Sequence, residues 1–251
     1  MLTEQRRRLI LDVLKRDGRA VAGELARLWE VSEDTIRRDM REMAQAGLLK
    51  RVHGGALPVT APLPDLSERR GLATEEKRRL AAAAVRLISP GQVVFLDGGT
   101  TTAEIVRQIP RDMALTVVTH APTIAAELEQ HEAIEVVLIG GRIFRHSMVA
   151  VGPTALAAIE RIRPDIFFLG ATAAHPTEGL STGDFEEAAI KRRVLERSLA
   201  SYCPLTCDKL DRVSPFAIAS IAEPTGLIVV SDAEQAMLDG YGAKGASLIL
   251  A

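Results

Sequence analysis

The apolar positions at the start of the chain recur with helical spacing in three short segments. Over residues 3–16 they are Leu9, Ile10, Val13 and Leu14, and Asp17-Gly18 supplies a stop. A second segment, 21–29, places Val21, Leu25 and Leu28 on one face. Glu30-Val31 then connects tightly to Ser32, a good helix N-cap, with Glu33 and Asp34 in the first turn, where acidic side chains meet the positive helix end. The third segment runs over 33–46 and turns Ile36, Met40 and Met43 inward before Gly47 ends it; Arg38, Arg41 and Gln45 face the other way, with Arg37 on the flank. Residues 48–57 read as two short strands around the Gly54-Gly55 turn, a wing.

Pro58, Pro62 and Pro64 fall in a stretch without helical or strand period, so 58–67 reads as a linker between a first domain, 1–57, and a second, 68–251. In the second, apolar runs at 93–96, 115–119, 134–139, 166–169 and 227–230 alternate with helical patterns at 75–88, 103–109, 123–131, 153–162 and 185–199. That alternation predicts an α/β fold: a winged helix-turn-helix followed by an α/β domain whose largely parallel sheet is covered on both faces.

Charge sharpens the division. Residues 1–56 hold 12 Lys/Arg against 9 Asp/Glu, and the remainder 19 against 24. A basic helical piece joined to an acidic α/β piece fits a nucleic-acid module attached to a soluble sensor or enzyme domain. Arg6-Arg7-Arg8 and Lys15-Arg16 interrupt the first apolar positions, so no signal-peptide core is present, and no later apolar run is long enough to span a bilayer. The expectation is a protein of the reducing cytoplasm with no membrane partner. Cys203 and Cys207 have no second Cys/His pair close by, and the five histidines are scattered, so neither a metal nor a cofactor is expected.

Three short helices with a tight second turn and a cationic third helix are what helix-turn-helix docking needs, since the third helix enters the major groove while the others hold it. An arginine's planar fork bonds a guanine edge at two points or grips a phosphate. The alternative for Arg37, Arg38 and Arg41 is a solvated face paired with Asp34, Asp39 or Glu42. The run Val31-Ser32-Glu33-Asp34-Thr35-Ile36-Arg37-Arg38-Asp39-Met40, followed by Gly47-Leu48-Leu49-Lys50-Arg51-Val52-His53-Gly54-Gly55-Ala56, resembles the N-terminal signature of the DeoR family of bacterial regulators. The resemblance implies that Arg37, Arg38 and the wing residues Arg51 and His53 face double-stranded operator DNA. With Ser32, Thr35 and Arg41 they form the candidate DNA-reading set, although His53 reads equally as a turn residue packed on the wing.

In the second domain the strand at 93–96 runs straight into Asp97-Gly98-Gly99-Thr100-Thr101-Thr102, after which a helix begins. Glycines let backbone amides turn toward a ligand, and three hydroxyls beside a helix N-terminus make an anion seat. Thr119-His120, Gly140-Gly141-Arg142 and Gly179-Leu180-Ser181-Thr182 with Asp184 lie on other loops at strand ends, where ligands bind in an open parallel sheet. Glu187 and Lys191 stand one helical turn apart, which also describes an ordinary surface ion pair. Lys209 follows a strand that ends near Thr206.

Asp97-Gly98-Gly99-Thr100-Thr101-Thr102, Phe168-Leu169-Gly170-Ala171 and Glu187-Ala188-Ala189-Ile190-Lys191-Arg192 resemble, in the same order, the sensor domain of the DeoR family. That domain is similar in fold to ribose-5-phosphate isomerase and generally answers to phosphorylated sugars or related metabolites. The resemblance implies that Gly99, Thr100, Thr101 and Thr102 hold the effector's phosphate, while Glu187, Lys191 and Lys209 meet hydroxyls or a carbonyl oxygen. Asp97, His120 and Gly141 complete the candidate effector set. Two positions depart from the family pattern: His120 stands where it carries Asn, and Thr206 where it carries an acidic residue.

These features point to a transcription regulator, a repressor of a sugar or sugar-derivative catabolic operon, acting as a symmetric dimer or tetramer because helix-turn-helix proteins use two half-sites. A sugar-phosphate isomerase with an accessory DNA-like domain is the alternative from another class. It would need a carboxylate base and groups that polarise a carbonyl. Glu187 and Lys209 offer these, but Leu169-Gly170-Ala171-Thr172, aligned with an isomerase's acidic loop, has no carboxylate, so no enzyme activity is expected. A sensor with a decayed ligand site, leaving only a DNA-binding protein, is the third reading, and the nearly complete set of polar loops counts against it.

Overall fold

The computed structural model describes residues 2–17, 19–46, 48–52, 54–58 and 65–251. The expected helix stops Gly18 and Gly47, the wing residue His53 and linker residues 59–64 lie outside the described residues. The chain divides into two compact units, one of residues 1–62 with Asp211–Val213 and one of residues 63–210 with 214–251.

The first unit runs α1 (Thr3–Asp17), β1 (Ala20–Val21), α2 (Ala22–Leu28), α3 (Glu33–Gln45), β2 (Leu49–Val52) and β3 (Gly55–Pro58). Ile10, Leu14, Leu25, Ile36, Met40, Met43 and Leu49 pack together as its core. The antiparallel sheet has the order β1-β3-β2, so the wing has a third strand. β1 is only two residues long and shows no alternation to read. Its pairing explains a glycine, however: a Cβ on Gly55 would stand 2.1 Å from the Ala20 carbonyl oxygen. Helix α2 begins at Ala22 and buries Ala22, Leu25 and Ala26, an i, i+3, i+4 stripe. Leu28, expected on that face, lies six residues after Ala22 and is 70% exposed.

Two of the three consecutive arginines bind α1 to α3. Arg6 and Asp39 form a buried ion pair, and Arg7 reaches Glu42. Sequence pattern alone marks these arginines only as interruptions of an apolar stripe.

The second unit continues with α4 (Leu66–Arg70), α5 (Thr74–Val85), β4 (Val93–Leu96), α6 (Thr100–Gln108), β5 (Leu115–Thr119), α7 (Pro122–Glu127) and β6 (Ile134–Leu138). A hairpin, β7 (Arg142–Phe144) and β8 (Val149–Val151), leads to α8 (Pro153–Ile159), β9 (Ile166–Phe168), β10 (Ala173–His175), β11 (Gly179–Thr182) and α9 (Phe185–Arg197). The chain ends through β12 (Ala200–Leu205), a 3-10 turn Cys207–Lys209, β13 (Phe216–Ala219), β14 (Gly226–Val229), α10 (Gln235–Gly242) and β15 (Leu248–Leu250).

Seven strands form one parallel sheet in the order β15-β14-β12-β9-β4-β5-β6. Its middle strands are continuous apolar runs because both faces are covered; Val94, Phe95, Leu96, Phe167, Phe168 and Leu227 are buried. The hairpin and the small antiparallel sheet β10-β11-β13 have no counterpart in the sequence reading, since their strands are three or four residues long. From β4 the chain winds outward through β5 and β6, then returns to β9 on the other side of β4. The strand order therefore reverses between β4 and β9, and the crevice at their carboxyl ends is where such a sheet receives a ligand. Among the described residues no helix is long and apolar enough to cross a membrane.

Candidate functional site

The surface of α3 separates its arginines by what already holds them. Ser32 caps the helix, its hydroxyl accepting from the Thr35 amide at 3.2 Å and lying 2.7 Å from the Thr35 hydroxyl. Arg37 is bonded to Glu33 at 2.7 and 3.1 Å. Asp39 and Glu42 are occupied by α1, and Arg38 and Arg41 are exposed with no hydrogen bond or ion pair among the described residues. The pairing of Arg38 and Arg41 with Asp34, Asp39 or Glu42 that the sequence left open does not form. Arg51 is exposed on β2 of the wing.

In the second unit a cavity opens at the carboxyl ends of β4, β9 and β12. Gly99, Thr100, Thr101 and Thr102 form one wall, Gly170, Ala171 and Thr172 another, and Thr206 with Lys209 a third; Glu187 and Lys191 come from α9. Gly99 caps α6 with φ 131°, a conformation that favours glycine, so the helix begins at the cavity edge. The first amides of α6 have no intrahelical acceptor and are the free donors of that wall. Asp184 caps α9 by accepting the Glu187 amide at 2.9 Å, which fixes where Glu187 and Lys191 enter.

Asp97 lies directly behind this wall. Its Oδ1 accepts from the Gly98 amide and lies 2.8 Å from His120 Nε2, while its Oδ2 accepts from the Gly170 amide at 2.8 Å and from Lys191 Nζ at 2.5 Å. Lys191 Nζ is also 3.2 Å from Glu187 Oε1, and Thr182 donates to Glu187 Oε2 at 3.0 Å. Glu187 and Lys191 are thus a buried, shared pair rather than a surface one. Burial by itself pushes the Asp97 carboxyl up; the Lys191 charge and the His120 bond outweigh it and hold the group well below the usual carboxylate range. For Lys191, burial pulls down, but Asp97 and Glu187 together hold the ammonium above its ordinary value.

Three expected effector contacts fall elsewhere, the first being Asp97, which is fully buried behind the wall and holds Lys191 rather than lining the cavity. His120 is fully buried between the Ala150 carbonyl oxygen, 2.8 Å from Nδ1, and Asp97, and does not reach the cavity wall. Its position on a buried strand end, rather than an exposed loop, gives it the task of orienting Asp97. Gly141 opens the β7–β8 hairpin, away from the cavity; a Cβ there would stand 2.9 Å from the Val151 carbonyl oxygen, so its role is in the backbone.

Arg69 and Lys77, which no motif singled out, also line the cavity. Burial holds both below their ordinary values, and likewise Lys209, whose ammonium has no hydrogen bond or ion pair among the described residues. The cations therefore outnumber the available carboxylates around free amides and hydroxyls, an arrangement suited to an anion. Cys203 and Cys207 are free thiols, and no group of three metal-ligating side chains forms among the described residues.

A winged helix with uncommitted arginines on its third helix, in one chain with an α/β unit holding a polar cavity at the switch point of its sheet, defines a DNA-binding regulator with a sensor domain. The chain belongs to the DeoR family: residues 6–61 match the DeoR-like helix-turn-helix domain and 72–231 the DeoR C terminal sensor domain. It is 38% identical to the HTH-type transcriptional regulator GlpR of Haloferax volcanii, over 88% of this chain and 86% of that one. It is 31% identical to the glycerol-3-phosphate regulon repressor of Escherichia coli K12, over 79% of each. Ribose 5-phosphate isomerase A of Methanocaldococcus jannaschii superposes on 54% of each chain with a TM-score of 0.41 at 18% identity, too partial a likeness to carry an argument.

Proposed function

We propose that this regulator represses a sugar or sugar-derivative catabolic operon and that a phosphorylated sugar or polyol in the second unit's cavity controls it. The observation that carries the reading is the unspent donor set of that cavity: free amides and hydroxyls at 99–102, facing Arg69 and Lys209. A phosphate monoester dianion satisfies both groups. The relative named for the glycerol-3-phosphate regulon supports the phosphorylated class. The polar wall is intact although Thr206 departs from the family pattern, which speaks against a decayed site.

The same geometry argues against catalysis. Of the two carboxylates that line the cavity, Glu187 and Asp208, Glu187 is engaged by both Lys191 and Thr182, and the 169–172 loop has no acid. A symmetric dimer or tetramer on a two-half-site operator, in the cytoplasm, completes the proposal.

Calorimetric titration of the full-length chain with glycerol 3-phosphate, ribose 5-phosphate, common hexose phosphates and the free parent compounds tests it. At least one phosphorylated compound is expected to bind about tenfold or more tightly than its parent, and Thr101→Val to remove most of that difference by deleting a donor without changing shape. Equal affinity for every compound and its phosphate would refute the phosphate seat.

A further inference from the structure

We propose that Arg69, the cation that α4 carries into the cavity wall, binds the effector's phosphate and is the contact through which an occupied cavity acts on the chain leading to the DNA reader. The inference rests on the proposed phosphate seat and adds a residue and a route to it.

Helix α4 begins three residues after Leu63, at the start of the second unit. It is a single short helix, with the Asp65 amide donating to the Glu68 carboxylate at 3.2 Å and Leu66 as its one buried apolar side chain. Arg69 points from it into the cavity, where its Nη2 donates to the His146 carbonyl oxygen at 3.3 Å and its Nε is buried with no partner. A buried guanidinium N–H without an acceptor is costly to leave unmet, and an oxyanion in the cavity would supply one.

Lys77 serves differently. Its ammonium donates to the backbone carbonyl oxygens of Arg69, at 2.6 Å, and Leu72, which ties down the turn between α4 and α5. That turn contains Ala73 at φ 47°, a left-handed conformation rare for a residue with a side chain. With the α5 residue Lys77 spent on the turn, Arg69 is the α4 cation that lines this cavity and can meet the anion. A phosphate bridging Arg69 and the amides of α6 would hold α4 against the sensor, at the point where the chain departs for the winged helix.

The test uses the full-length chain, titrated calorimetrically with inorganic phosphate and glycerol 3-phosphate as wild type, Arg69→Lys and Arg69→Gln. Hydrogen–deuterium exchange is read with and without phosphate. Arg69→Gln is expected to weaken both probes about tenfold or more, and Arg69→Lys to recover part of the loss by keeping the charge without the planar fork. Phosphate should slow exchange over 66–72 and 99–102 in wild type, and over 99–102 alone in Arg69→Gln. Unchanged affinity in both variants overturns the contact, and equal protection of 66–72 with and without Arg69 overturns the route. A wild type that binds neither probe removes the phosphate seat and this inference with it. Should Arg69→Gln fold poorly by circular dichroism, Arg69→Lys decides the matter.

Discussion

Lys191→Met is expected to destabilise the second unit by about 3–5 kcal/mol, the cost typical of stranding one member of a buried ion pair. Lys191 and Asp97 are 3% and 0% exposed, and the lysine also serves Glu187, so its loss leaves two carboxylates sharing a dry site. Urea denaturation at pH 7 measures the effect. Adding Asp97→Asn to Lys191→Met should restore part of the loss, since one of the two stranded charges then disappears and Glu187 alone is left without its lysine. A cost under about 1 kcal/mol for Lys191→Met, the range of a solvated pair, would contradict the buried network.

Acid reports on the same group. The Asp97 carboxyl is held below its unfolded value, so its stabilisation is fully present above the ordinary carboxylate pKa of about 4 and is lost as pH falls through the folded value. The stability gap between wild type and Asp97→Asn should accordingly be constant near neutrality and narrow below about pH 4.

Arg38→Ala with Arg41→Ala is expected to weaken binding to a fragment from the protein's own promoter region by about a hundredfold or more, each arginine contributing about 1–3 kcal/mol. Among the described residues both side chains are without a partner, so neither need leave one to reach DNA. Arg37→Ala should cost less, because Arg37 must first give up Glu33. Fluorescence anisotropy across a salt series also separates roles. Removing an arginine that grips a phosphate flattens the log–log salt slope by about 0.9, whereas removing one that reads a base edge relaxes sequence preference. A larger drop in affinity for Arg37→Ala than for the double variant would invert this assignment.

The recognition helix was legible in the sequence because everything that defines it is local: an N-cap at Ser32, acids in the first turn, an apolar stripe at Ile36, Met40 and Met43, and arginines on the opposite face. The parallel sheet was legible for a similar reason, since strands buried on both faces must be continuous apolar runs between amphipathic helices. The Gly/Thr turn at 98–102 also announced itself, as glycines and hydroxyls at a strand-to-helix junction carry their chemistry with them.

What the sequence could not supply is who meets whom across long separations. The pairing of Arg6 with Asp39 decided which α3 arginines stay free, and no local pattern encodes an ion pair 33 residues apart. His120 sits at a strand end like a ligand-binding residue, yet the β7–β8 hairpin closes over it and turns it toward Asp97. Arg69 carries no periodic or motif signal; only the packing of α4 brings it to the cavity. Local spacing and burial periodicity thus made the helix-turn-helix, the main parallel strands and the two-part architecture legible, and the motif runs made the family so, while the short strands β1, β7, β8, β10, β11 and β13 carried no pattern to read. The tertiary structure alone decided which polar groups are committed to one another and which remain for a ligand, because that depends on the strand order reversing between β4 and β9 and on side chains meeting across it.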